Sequence, residues 1–288
     1  MVSLRLSGRL SEESLFFRLG GLLFCIGLVG AVLYSATLSE LSGTLLSREG
    51  SSHGLFVPLL SVYFAWQKRS RLRETEEGYG LGRGLMVVAG GLILFLFAWR
   101  ADWFTGRCLS FLIVLSGLVI LFFGWRMFRE LSFSFFFLIF MIPVPESAYV
   151  PLADWIRGVT VAASTVLLPV LGVPFLREDW LIHLPGTVLQ VNIGCSGVQY
   201  LLSYFVFGVA YAYLYRERLG QRLLVVCAAV PISLAASTLR LTAITALAYY
   251  VGPRMAEHRP HIVISWLVFV SVLVLFVGLD RLVGRDRG

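Results

Sequence analysis

Long apolar runs and short polar breaks alternate along nearly the whole chain. A helix crossing a hydrocarbon core of ~30 Å needs about 20 residues at 1.5 Å each. On that scale the pattern predicts spans near residues 15–38, 54–67, 84–100, 108–125, 131–145, 196–215, 222–250 and 262–283. The first run is longer than a signal-peptide core and lacks a small-residue cleavage pattern, so it reads as a retained span. A further apolar stretch, Val150 to Val173, carries Asp154 and Arg157 and runs into Pro169 and Pro174, which predicts an interfacial or re-entrant helix. After it, Pro185-Gly186 is a turn signal, and Val188, Gln190 and Asn192 alternate with Leu189, Val191 and Ile193. That period of two predicts a small β-hairpin. The expected architecture is an all-α polytopic membrane protein, a single domain over 1–288, with about eight transmembrane helices and that hairpin on its outer face.

Charge sets the expected sidedness. Arg5, Arg9 and Arg18 precede the first span, Lys68, Arg69, Arg71, Arg73 and Arg83 follow the second, and Arg126 and Arg129 follow the fourth. Basic residues gather on the cytoplasmic side. Continued alternation puts the loop "RERLGQR" (216–222), the tail with Arg281, Arg285 and Arg287, and both termini there too. The chain is 58% hydrophobic and 14% charged, with a formal net charge of +7. Because those cations cluster at span ends beside lipid, the charge is accounted for without nucleic acid.

Four cysteines show no paired spacing. Cys25, Cys108 and Cys227 lie in or beside apolar runs, where a thiol packs as a small hydrophobe. Cys195 differs, because it sits in "QVNIGCSGVQY" (190–200), a polar, glycine-flanked entry to the sixth span. With this topology Cys195, Arg240 and His261 all fall toward the outer side. A thiolate is the attacking form of cysteine, and both a guanidinium and an imidazole favour it; the imidazole can also protonate a leaving amine. Arg240, in "STLRLTAITALAYY" (237–250), is costly in an apolar helix and so marks a functional position. Helical spacing puts Ser233, Ser237, Arg240 and Ile244 on one face. The competing reading has Arg240 snorkelling to headgroups or paired with Asp154. Gly194 and Gly197 would admit a close backbone approach, while the plainer reading of "GCSG" is a helix start with Ser196 as cap.

His53, His183, His258 and His261 all fall on the expected outer side. They offer no HxxxH on a helix, and Pro260 breaks register between the last two, so no metal and no other cofactor is expected.

At these positions the sequence resembles the exosortase/archaeosortase family of multi-spanning membrane transpeptidases. The resemblance runs over about 50–280 through "SSHGLFVPLL", "FMIPVP", "LPGTVLQVNIGCSG", "STLRL" and "HIVISW". It implies Cys195 as nucleophile with Arg240 and His261 as essential partners. It further implies cleavage of C-terminal sorting tails of exported proteins at a short motif, often Pro-Glu-Pro, ahead of a membrane helix and basic tail. Transfer would follow to a surface acceptor, an amine, glycan or lipid nucleophile, in the bacterial inner membrane with the site facing outward. His53, Asn192, Ser196, Gly197, Gln199 and Ser237 are supporting or substrate-contacting candidates. Gln199 stands where many members carry Arg, and Ser237 where many carry Asn, so the subclass and its sorting motif stay open. The residues are also compatible with a membrane cysteine protease that hydrolyses without transfer. A non-enzymatic transporter or scaffold, with Arg240 holding an anionic solute, is the third reading.

Overall fold

The computed structural model describes residues 12–47, 52–74, 80–192, 197–256, 263–268, 270–272, 274 and 278. The chain forms two compact units, Met1–Val144 and Pro145–Gly288.

In the first unit the predicted span 15–38 is broken. Helix α1 (Glu12–Val32) and helix α2 (Ser35–Ser47) meet at 83°. The bend is held by Tyr34, wholly buried between the rings of Phe95 and Phe111, with its hydroxyl 3.0 Å from Ser110 Oγ. Anchoring one large side chain sideways stops the apolar run from continuing as a single rod. Next come α3 (Phe56–Gln67), α4 (Arg69–Glu74), α5 (Leu81–Arg100) and α6 (Phe104–Phe137). At 12 residues α3 covers only ~18 Å, short of a full crossing.

Within α6, Gly124 has φ 82° and ψ 170°, a region essentially reserved for glycine. The chain folds back there, since Met141 and Ile142 pack beside Phe104, Cys108, Leu41 and Leu45. The expected polar loop around Arg126 and Arg129 is therefore helix, and one glycine makes the reversal. Arg18 Nη1 donates to the Phe122 carbonyl at 3.3 Å and Lys68 Nζ to the Glu130 carbonyl at 2.8 Å. These cations of the first two basic clusters thus sit toward the turn end of α6.

The second unit contains α7 (Glu146–Leu167), a three-stranded antiparallel sheet, α8 (Val198–Tyr215) and α9 (Leu219–Tyr250). The strands are β1 (Leu176–Glu178), β2 (Leu181–Leu184) and β3 (Thr187–Gln190). The expected hairpin is β2–β3: Leu184 pairs with Thr187, leaving Pro185-Gly186 as a two-residue turn. Val191 is buried and Val188, Gln190 and Asn192 are exposed, which follows the predicted alternation. The added strand β1 pairs Leu176 with His183, and Glu178 Oε2 lies 3.0 Å from His183 Nε2.

Ile182, Leu184 and Val191 pack against Val161 and Leu168 of the α7 segment and Leu241 and Ala248 of α9. By contrast α8 packs on the first half of α9, with Tyr211 and Ala212 against Val225 and Tyr204 in one cluster with Ala229. The 32-residue α9 is ~48 Å long, so its two halves have different neighbours.

Among the described residues, four helical segments are long and apolar enough to cross a membrane, or five if the bent α1–α2 pair counts as one span. That is fewer than the eight expected. The difference arises where apolar runs are divided into shorter helices, as at α3, or joined by helix, as across Gly124, and the last expected span, 262–283, lies partly outside the described residues. The stretch Glu146–Leu171, which covers most of the Val150–Val173 segment expected to be interfacial or re-entrant, is among the four by length and composition. Its charges do not argue against that, because Arg157 Nη2 and Asp154 Oδ1 pair at 2.5 Å and the guanidinium stacks 4.0 Å from the centroid of Trp180.

Candidate functional site

The site grows from one face of α9. Ser233, Ser237, Arg240 and Ile244 are all buried, as the helical spacing predicts. Ser237 Oγ donates to the Ser233 carbonyl at 2.8 Å, and Ser233 Oγ to the Val230 carbonyl at 2.7 Å. Both hydroxyls are satisfied within their own helix, so they line the seam without straining it.

Against this seam lies the start of α8. Gly197 is its N-cap residue, with φ 87° and ψ 0°, and its carbonyl accepts the Tyr200 and Leu201 amides at 3.0 and 3.2 Å. The cap thus falls on Gly197, one place after Ser196. A Cβ at Gly197 would lie 2.5 Å from Ser237 Cβ and closer still to its Oγ. Only glycine meets both demands, left-handed backbone and backbone-to-side-chain contact. Gly197→Ala should therefore lose most correctly folded protein, combining steric overlap with about 1–3 kcal/mol of backbone strain. Detergent-extracted yield and thermal stability measure this; a wild-type melting profile would show that the contact is dispensable.

One turn beyond Ser237, Arg240 is 1% exposed. Its Nη1 donates to the Tyr200 hydroxyl at 3.3 Å and reaches Ser265 Oγ at 3.5 Å, and its guanidinium lies 4.9 Å from the Tyr200 ring centroid. The Tyr200 hydroxyl in turn donates to the Ser265 carbonyl at 3.5 Å. Arg240 therefore faces inward and does not snorkel. Asp154, the carboxylate weighed as its partner, is engaged by Arg157.

Of the residues singled out from sequence, Arg240, Ser237 and Gly197 come together. Cys195, Ser196 and His261 lie outside the described residues, as do Ile193 and Gly194. Gln199 belongs to the first turn of α8, Asn192 is exposed after β3, and His53 falls in the 3-10 turn Ser52–Leu55 of the first unit. Of the other cysteines, Cys108 is buried and Cys25 half-buried, as packing thiols would be, whereas Cys227 is exposed on the surface of α9.

Tyr200 and Ser265 were not picked out from the sequence. The available signal was weak: a tyrosine one turn into an apolar helix has a hydroxyl that needs a partner when buried.

A cationic side chain enclosed by hydroxyls in a bundle of apolar helices defines a multi-pass membrane protein with an internal polar site. The chain belongs to the transmembrane exosortase family, whose family model matches residues 45–278. No curated protein and no solved structure matches the chain. The family is one of membrane cysteine proteases and transpeptidases.

Proposed function

We propose that this protein removes the C-terminal sorting tails of exported proteins through a Cys195 thioester and transfers the truncated proteins to a surface acceptor. One observation carries the reading: sequence neighbours of Cys195 and His261 converge on the Arg240 face. Gly197, two residues after Cys195, abuts Ser237. Tyr200 and Ser265, the latter four residues after His261 in sequence, both contact Arg240.

In this mechanism the Cys195 thiolate adds to the scissile carbonyl carbon, and Arg240 stabilises the resulting oxyanion. The intermediate collapses with cleavage of the C–N bond. His261 gives its proton to the departing amine, leaving an acyl thioester. An acceptor amine or hydroxyl, on a glycan or lipid, then adds to the thioester while His261 removes its proton, and the thiolate leaves. The supporting candidates His53, Asn192, Ser196 and Gln199 would contact the substrate or shape its entry. We assign the protein to a bacterial inner membrane, with both termini in the cytoplasm and the site facing outward. The positive-inside rule supports that orientation, as does the placement of Arg18 and Lys68 toward one end of the first unit.

The test is co-expression with an exported reporter ending in Pro-Glu-Pro, an apolar helix and a basic tail, followed by mass spectrometry of the Cys195 peptide. The expected result is a reporter acyl group on Cys195. Its absence while the tail is being removed would refute the thioester.

A further inference from the structure

We infer that Tyr200 is a positioning residue of the reaction, its phenol fixing the Arg240 guanidinium where negative charge develops. The inference rests on the role proposed for Arg240 and adds the group through which that role is set.

Tyr200 meets Arg240 in two ways. Its hydroxyl accepts from Nη1 at 3.3 Å, and its ring stands 4.9 Å from the guanidinium carbon. The ring attracts the cation and the oxygen fixes its direction. The same hydroxyl donates to the Ser265 carbonyl at 3.5 Å, so one phenol ties together α8, α9 and the helical stretch Val263–Val272. The ring itself is held, stacked on Tyr204 at 6.4 Å and packed with Ala229 and Ala236.

Arginine has many rotamers, and ordering it during the reaction would cost free energy that preorganisation removes beforehand. A phenol also orients the guanidinium while leaving its charge intact, whereas a carboxylate would cancel much of the field meant for an oxyanion or thiolate.

The test uses the full-length protein in detergent or proteoliposomes. Tyr200→Phe keeps the ring and removes the oxygen. Cleavage of the tailed reporter should slow by about 10- to 100-fold, the range lost with one hydrogen bond to a charged group. The loss should fall on kcat with KM unchanged. A second readout needs no substrate: iodoacetamide alkylation of Cys195 at neutral pH, followed on its peptide, should slow in Tyr200→Phe. In an Arg240→Ala background the same change should slow neither rate further, because Tyr200 acts through Arg240. Wild-type rates in Tyr200→Phe, or an equal further loss without Arg240, would overturn the inference. Should Tyr200→Phe extract poorly, 3-fluorotyrosine at this position keeps the shape and weakens the acceptor; an intermediate loss supports the role, and wild-type turnover opposes it. Cleavage that survives Cys195→Ala would instead refute the nucleophile, and the coupling of Tyr200 to Arg240 in turnover would still decide the positioning role.

Discussion

Cys195→Ala is expected to abolish tail removal, a fall on the order of 10⁴-fold or more, as for loss of a covalent nucleophile in other acyl-transfer enzymes. Cys25 and Cys108 pack among apolar side chains of the first unit. Cys227 is exposed on α9, and the interval to Arg240 corresponds to ~20 Å of helix. Alanine is small enough for any place that holds a cysteine, so insertion and melting should match wild type, and the defect should be chemical. The measurement is the fraction of reporter retaining its tail, alongside the extracted yield of the variant. Sustained processing with full expression would make Cys195 incidental and favour a transporter or scaffold.

The second large effect is a separation of stability from activity at Arg240. Arg240→Met has similar length and no charge. Placing an arginine in an apolar helix costs about 2.5–3.5 kcal/mol on insertion scales, and replacing buried ionic groups with apolar ones of similar volume is often neutral or stabilising. Arg240→Met should therefore keep or raise the melting temperature, although Tyr200 and Ser265 lose a donor. Reporter cleavage should fall by about 10²–10³-fold, the cost of removing one oxyanion donor. Arg240→Lys restores charge without the planar fork and should recover only part of the rate. The structural alternative predicts the reverse pattern, a lower melting temperature with cleavage retained in the folded fraction.

Period-two alternation from Val188 located β3, because a strand sends successive side chains to opposite faces, and the Pro185-Gly186 turn implied a partner strand before it. Helical spacing foretold the buried face of Ser233, Ser237, Arg240 and Ile244, since these lie at intervals of one turn. The motifs around Cys195, Arg240 and His261 were enough to indicate the family. The number of crossings was less legible. An apolar run reports that a segment leaves water, and it says nothing about whether Tyr34 pins a bend or Gly124 reverses the chain in one residue.

Local chemistry along the chain thus specified the apolar helices, the hairpin and the reactive residue types, because each follows from side-chain polarity and spacing within a few turns. Tertiary packing decided which groups meet: Gly197 on Ser237, Asp154 with Arg157, and Arg240 held by Tyr200 and Ser265. Those pairings join residues far apart in sequence, and no local periodicity encodes the partner that a buried side chain will find.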